Sequence, residues 1–255
     1  MKRRGELFAR VVVLLVVACG GQADELTSQM AILKAAEGAW DERSEAAQKL
    51  GAVGERAVPP LIEALDSGIR NVQCGARLAL VQIGPKAAVP ALREKLRKGT
   101  DAQKLPAAKA LGDFGKAAAP AIADLGDLLD HTNKPIALAA RRSLILIGRD
   151  MGVKDDQVVR TDGRTTTGVF VKEEGAHISM VAIERFKDRT SVMATAIPTN
   201  NVAAKHLASD EQRPILEARL AAYREIQSGK SSRPATFVWR EEQRAGRQAE
   251  EEVHP

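Results

Sequence analysis

Histidine and cysteine are the first residues to inspect for chemistry, because metal centres and nucleophilic sites are built from them. The chain has four histidines, and none stands three or four residues from another: His131, His177, His206 and His254. No histidine is next to a glutamate, so no dyad predicts a metal site. Cys74 has no histidine near it in sequence, and the pattern favours a small buried hydrophobic residue there.

Motifs for phosphate binding and acyl transfer are also missing from the sequence. It contains neither Gly-x-Gly-x-x-Gly nor Gly-x-x-x-x-Gly-Lys-Ser/Thr, and it has no Gly-x-Ser-x-Gly. We therefore predict no catalytic residues, no metal ligands and no cofactor, and we expect the protein not to be an enzyme.

A basic stretch offers one candidate for binding. Residues 70–142 hold 13 Lys and Arg against 6 Asp and Glu. Arg93, Arg97 and Lys98 cluster within it, and we predict that they contact a partner; the alternative is a solvated helix face. The expected partner is a protein, acidic in character, or an anionic component of the cell envelope. Nucleic acid is not expected, because aromatic side chains for base stacking are missing here.

The N-terminus has the pattern of an export signal, residues 1–23. Basic residues precede an apolar run of eight residues, 11–18, which is much shorter than the ~20 residues that span a bilayer. Val16-Val17-Ala18-Cys19 resembles a bacterial lipobox, in which Cys19 would be lipidated. Cleavage before Asp24, after Gly21-Gln22-Ala23, is the alternative. The expected location is the cell envelope or periplasm, with membrane attachment if Cys19 is lipidated.

Composition restricts the fold class. The chain of 255 residues is 44% hydrophobic but only 3% aromatic, so its core must be built from small and aliphatic side chains, which suits close-packed helices. Charged residues make up 28%, which excludes a polytopic membrane protein and a wholly disordered chain. Two cysteines exclude a disulfide scaffold.

A repeat of about thirty residues organises the first half of the chain. Glycines mark it at spacings of 30, 31 and 33 residues: Gly54, Gly84, Gly115 and Gly148. Eight, four and one residue before each glycine stand an alanine, a leucine and a large apolar residue, as in Ala76, Leu80 and Ile83. These offsets lie on one face of an α-helix, and each glycine is expected where that helix ends.

Prolines indicate a second helix in three of the units. Pro59, Pro90 and Pro120 each open a further apolar run, and proline is tolerated in a first helical turn. Each unit is therefore predicted as two helices joined by a tight turn, and such hairpins must stack to bury their apolar faces. The fourth unit has no such proline, so its pattern ends near Gly152.

These residues resemble a known family. Leu50-Gly51-x-x-Gly54-x-x-Ala57-Val58-Pro59-x-Leu61 is similar to the HEAT-like repeat of the phycobilisome-lyase type, and two further units repeat it in register. The resemblance implies a mainly α protein, a HEAT-type α-solenoid over residues 26–152 with about three full helical hairpins plus capping helices. It implies a binding scaffold, with a lyase-type enzyme or an accessory factor of that lyase family as the alternative.

The period changes after Val153. Short β-branched segments separated by turns predict a small β module over residues 153–203, similar to the opening hairpin of SH3-like or Sm-like barrels. A helix follows over 209–228, with Ser209 and Gln212 in a capping-box pattern. Residues 234–239 are a further strand candidate, and the charged residues 240–255 are expected to form a disordered tail.

Overall fold

A computed structural model describes residues 25–35, 40–185 and 190–227. Its helices are α1 (25–34), α2 (Trp40–Val53), α3 (Val58–Ala64), α4 (Arg70–Ile83), α5 (Pro85–Lys98), α6 (Asp101–Asp113), α7 (Ile122–Gly126), α8 (Lys134–Asp150) and α9 (Arg213–Gln227). Its strands are β1 (Asp156–Arg160), β2 (Thr165–Glu174), β3 (His177–Arg185), β4 (Thr190–Pro198) and β5 (Val202–His206). In this part of the chain, no helix combines the length and apolar character needed to cross a membrane. The predicted export signal, the strand candidate 234–239 and the tail 240–255 lie outside the described residues.

The helices stack in two layers, as the repeat predicts. The first layer contains α2, α4, α6 and α8, each in contact with the next. The second layer contains α3, α5, α7 and α9, which also contact one another in order. The alanine and leucine positions of the predicted helix face are buried in all four units, and none of the four leucines is accessible to solvent: Leu50, Leu80, Leu111 and Leu144. The third position is buried at Ile147 but only partly buried at Val53, Ile83 and Phe114. Because each helix pair covers the apolar face of its neighbour, the pairs share one continuous core.

Glycine ends the first helix of three units. Gly84, for example, follows α4 directly and has φ of 104°, a conformation that favours glycine. The fourth unit differs from the prediction, because α8 continues through Gly148 to Asp150. The glycine with positive φ after α8 is Gly152, at 68°. A glycine is needed at position 148 for its small size rather than its backbone conformation, because helix α9 packs against it.

The second layer therefore continues beyond Gly152, where the sequence pattern ended. Helix α9 contacts both α7 and α8, in the position that a second helix of the fourth unit would take. A Cβ atom at Gly126 of α7 would lie 2.9 Å from Pro214 Cβ, so the two helices meet closely. The whole sheet is thus inserted between the two helices of one repeat. Ser209 precedes a short 3-10 turn, Asp210–Gln212, and α9 begins only at Arg213.

The five strands form one antiparallel sheet in the order β4-β3-β2-β1-β5. The prediction of a barrel-like module is wrong in this respect: the sheet is open, with β4 and β5 at its two edges. Sequence analysis also missed β5, which pairs with β1 after the short 3-10 turn Thr199–Asn201. Register shifts occur in the β1–β5 pair and in the β2–β3 pair.

Alternating side chains place the two faces of the sheet in different cores. Val181 lies in the main core with the helices, whereas its neighbour Met180 is buried in a separate small cluster. That cluster also contains Val158, Ile178 and Ile197. The period of two along β3 thus allows one sheet to dock on the solenoid and to bury its other face.

Candidate protein-binding surface

The three basic residues predicted as partner contacts lie on α5, in the second layer. Arg93 and Arg97 stand four residues apart, and each donates its Nε–H to one oxygen of Asp124 on α7, at 2.6 Å in both cases. The Asp124 side chain is only 7% exposed, whereas the side chains of Arg93 and Arg97 are 28% and 56% exposed. One buried carboxylate therefore holds two partly exposed guanidinium groups and joins the second repeat to the third.

Lys98 is held differently. Its Nζ lies 3.0 Å from Glu94 Oε1, one turn back on the same helix, and both side chains are largely exposed. Such surface pairs hold a side chain only loosely, so Lys98 stays accessible to a partner. The structure thus brings Arg93 and Arg97 together around Asp124 and places Lys98 beside them on the last turn of α5.

The charge around these residues is mixed rather than strongly basic. Three positive side chains face the two negative ones that they contact, Asp124 and Glu94, which leaves one net positive charge. The sequence count of residues 70–142 already includes both acidic residues, but it could not show that they pair with these three basic side chains. A partner of this surface would need complementary shape and hydrogen bonds as well as charge.

Other ion pairs connect the repeats and were missed by sequence analysis. Lys95 on α5 contacts Asp66 at 2.6 Å, and Gln103 on α6 donates to the same carboxylate at 3.0 Å. Arg77 on α4 makes two 2.6 Å hydrogen bonds to Asp113 on α6. Burial acts to lower the pKa of Arg77, but the hydrogen bond and charge of Asp113 outweigh it and raise the pKa.

Exposed prolines mark the second layer, one in each of the first three units. Pro59, Pro90 and Pro120 are all exposed. On α5, Pro90, Glu94 and Arg97 follow one another at intervals of four and three residues, so they share one face of the helix. This outward face, together with Arg93 and Lys98, defines what we call the second-layer surface.

Two buried aspartates at the start of the sheet fasten it to α9. Asp156 is completely buried and accepts hydrogen bonds from the backbone N–H groups of Phe170 and Ala208, each at 2.7 Å. Arg213 of α9 donates to the same carboxylate at 2.5 Å. Asp155, also buried, lies 3.1 Å from Arg219 Nη1, one and a half turns further along α9. These contacts are structural, since both carboxylate oxygens of Asp156 accept hydrogen bonds from the protein's own donors.

The described residues hold no group of three or more His, Cys, Asp and Glu side chains that could bind a metal ion. Among these side chains, His131 accepts a hydrogen bond from the backbone N–H of Asn133 at 3.1 Å through Nδ1. Its Nε2 faces Asp101 at 3.5 Å, so the ring connects the loop before α8 to the first residue of α6. Cys74 is a free, half-buried cysteine. Cys19, the lipidation candidate, lies outside the described residues.

Comparison with known proteins agrees with this architecture. Residues 30–104 match the HEAT repeats family. The helical hairpins are therefore HEAT-like repeats, stacked as an α-solenoid and followed by an open antiparallel sheet and α9.

One curated relative matches a longer part of the chain. It is the phycocyanobilin lyase subunit alpha of a Picosynechococcus species, 36% identical over 121 residues. That match covers 42% of this chain and 44% of the relative, so less than half of either protein is compared.

Proposed function

We propose that this protein is a non-catalytic scaffold that binds a protein partner through its second-layer surface. The observation that supports this most is the stack of HEAT-like hairpins, which arranges equivalent side chains of successive repeats in rows on one layer. Rows of this kind form an extended surface and suit recognition of another chain. The curated relative is named as a subunit, and this agrees with a role beside another protein.

Arg93, Arg97 and Lys98 are the proposed contacts on this surface. Asp124 fixes the Nε sides of both arginines, so their remaining N–H groups would be presented to a partner in a restricted geometry. Lys98 would add a mobile charge at the edge. An acidic protein fits this arrangement best, with modest rather than strong electrostatic attraction.

Affinity capture with two matched charge reversals would test the proposal. Lys98→Glu changes an exposed lysine in a one-turn pair on the second layer. Lys49→Glu changes an exposed lysine in the equivalent kind of pair, with Glu45, on α2 of the first layer. If a partner is recovered with the wild type and with Lys49→Glu, but less of it with Lys98→Glu, the result would support binding through the second-layer surface. Equal recovery with all three proteins would oppose it.

We further propose that the protein is exported and acts in the cell envelope. The support is the sequence of residues 1–23, with a basic start, a short apolar run and Cys19 directly after it. If Cys19 carries acyl chains, two or three of them would anchor the protein stably without a membrane span. Cleavage before Asp24 would instead release it unanchored.

A lyase-type enzyme, or an accessory factor of such an enzyme, is the second candidate. It is favoured by the identity to the phycocyanobilin lyase subunit. Titration of the purified protein with phycocyanobilin, followed by absorbance, would separate the two proposals. A saturable spectral change at one equivalent would favour the lyase-related role. An unchanged spectrum would favour the scaffold.

A further inference from the structure

The two edges of the sheet are built very differently. Strand β5 has five residues, carries Lys205 and His206, and pairs with β1 through a shifted register. Short length, charge and irregularity are the usual means by which proteins prevent an edge strand from pairing further. Strand β5 is therefore protected as an edge.

Strand β4 has none of these protections over most of its length. It is nine residues long and pairs with β3 without a register shift, from Arg185–Thr190 to His177–Pro198. It carries no charged side chain, and its proline stands at the last position. Met193 is 47% exposed, and Ala194 and Ala196 are exposed too.

Among the described residues, no backbone hydrogen bond reaches the outer edge of β4. In an antiparallel pair, alternate residues direct their N–H and C=O groups away from the partner strand. The outer edge of β4 thus presents a regular, uncharged row of donors and acceptors. A row of this kind binds an extended segment readily, by adding a strand to the sheet.

We propose that residues 234–239 of the same chain occupy this edge as an added strand. The segment reads Pro-Ala-Thr-Phe-Val-Trp and contains no charge, whereas the sequence on both sides of it is rich in charge. Threonine, phenylalanine, valine and tryptophan are all residues with high strand preference. An uncharged strand matches the uncharged edge. Pro234 has no backbone N–H to donate, but it is the first residue of the segment, and proline is tolerated at the first position of a strand.

The segment between α9 and Pro234 is short, and this favours residues 234–239 over a separate molecule as the added strand. Helix α9 already contacts β4, and six residues, 228–233, separate the end of α9 from Pro234. Extended, six residues reach roughly 20 Å. A tethered segment binds at an effective concentration of about millimolar, which a separate molecule in dilute solution cannot match.

Hydrogen exchange of the β4 amides in the full-length protein tests this proposal. In the wild type, nearly all backbone amides from 190 to 197 should be protected from exchange, because both edges of β4 would be paired. A Phe237→Pro/Val238→Pro double variant removes both adjacent donors, so it prevents pairing in either register. It would lower the protection of alternate β4 amides by about tenfold or more. A control with prolines at Gln248 and Ala249 would behave as the wild type.

Two results would overturn the proposal. If the alternate amides exchange as fast in the wild type as in the Phe237→Pro/Val238→Pro variant, the segment does not cover the edge. If they are protected but lose protection on dilution, a second copy of the chain is the occupant. Protection that is independent of concentration and sensitive only to the prolines at 237 and 238 is the result expected. The proposal stands apart from the scaffold function, because no residue of the second-layer surface enters it.

Discussion

Gly148 on α8 leaves the space that Ile215 on α9 fills: a Cβ atom at position 148 would lie 2.3 Å from Ile215 Cγ2. This close approach lets the helix that follows the sheet dock into the second layer. It also explains why a glycine stands inside α8, where its low helix preference is a disadvantage. This contact is one of those that hold α9 against the fourth repeat, beside its contact with α7 and its pairs with Asp155 and Asp156.

Gly148→Ala should therefore destabilise the protein. The added methyl group forces α9 outward, and such overpacking costs about 1–3 kcal/mol, partly offset by the ~1 kcal/mol by which alanine favours a helix. Urea unfolding measures the difference. Gly68→Ala is a control for the added methyl group alone, since it lies in the turn between α3 and α4 and nothing lies within 4 Å of a Cβ atom there; it should be nearly neutral.

A double-mutant cycle links the effect to α9. Ile215→Ala removes the atoms that a methyl group at position 148 would meet, although it costs about 2–5 kcal/mol by itself. The two substitutions together should destabilise less than the sum of their separate effects. Strict additivity would contradict the proposed contact between α8 and α9.

Asp124→Asn tests the link between the second and third repeats. The asparagine side chain has one oxygen in place of two, so one guanidinium group loses its hydrogen-bond acceptor. That group would face the –NH₂ of the asparagine instead. We expect a loss of about 1–3 kcal/mol, reduced from the value for a fully buried pair because Arg97 is more than half exposed. Asp127→Asn, on the exposed residue that follows α7, should change the free energy of unfolding very little.

Asp156→Ala should have a larger effect. The substitution leaves two backbone N–H groups and Arg213 without their acceptor in a fully buried position. Breaking a buried charge pair of this kind costs about 3–5 kcal/mol. Asp210→Ala, on an exposed residue just before α9, is the control. Equal unfolding midpoints for the two variants would show that Asp156 does not fasten the sheet.

The mature N-terminus distinguishes the two interpretations of residues 1–23. A lipoprotein would begin at Cys19 and carry added acyl mass, and a Cys19→Ala variant would leave the membrane fraction. Intact mass spectrometry gives the answer directly. A chain that begins at Asp24 without added mass would rule out the lipid anchor and would leave export itself supported.

Periodicity predicted the first-layer helices well, because an alanine and a leucine that are buried in every unit recur at helical spacing. The glycines that end the first three of these helices also have positive φ, as at Gly84. The same pattern misplaced the end of α8. Gly148 had the expected spacing, but its small size serves contact with a helix some 65 residues later in the chain. A single sequence cannot distinguish a glycine needed for its backbone conformation from one needed for its size.

Long-range pairs explain what else was missed. Arg93 and Arg97 were recognised as a basic cluster, yet their shared acceptor, Asp124, lies about thirty residues away on another helix. Strand β5 has a weak pattern of its own and gains its place from pairing with β1. In both cases the decisive interaction is with a distant element, so local sequence carries little of the signal.

The dissociation constant of a purified partner tests the central claim, binding through the second-layer surface, most directly. Isothermal titration would compare the wild type, Lys98→Glu and Lys49→Glu at low and high salt. A charge reversal at the edge of an interface should weaken binding about three- to tenfold at low salt and less at high salt. The account predicts this loss for Lys98→Glu and none for Lys49→Glu. Equal constants for all three proteins, or a loss confined to Lys49→Glu, would contradict it.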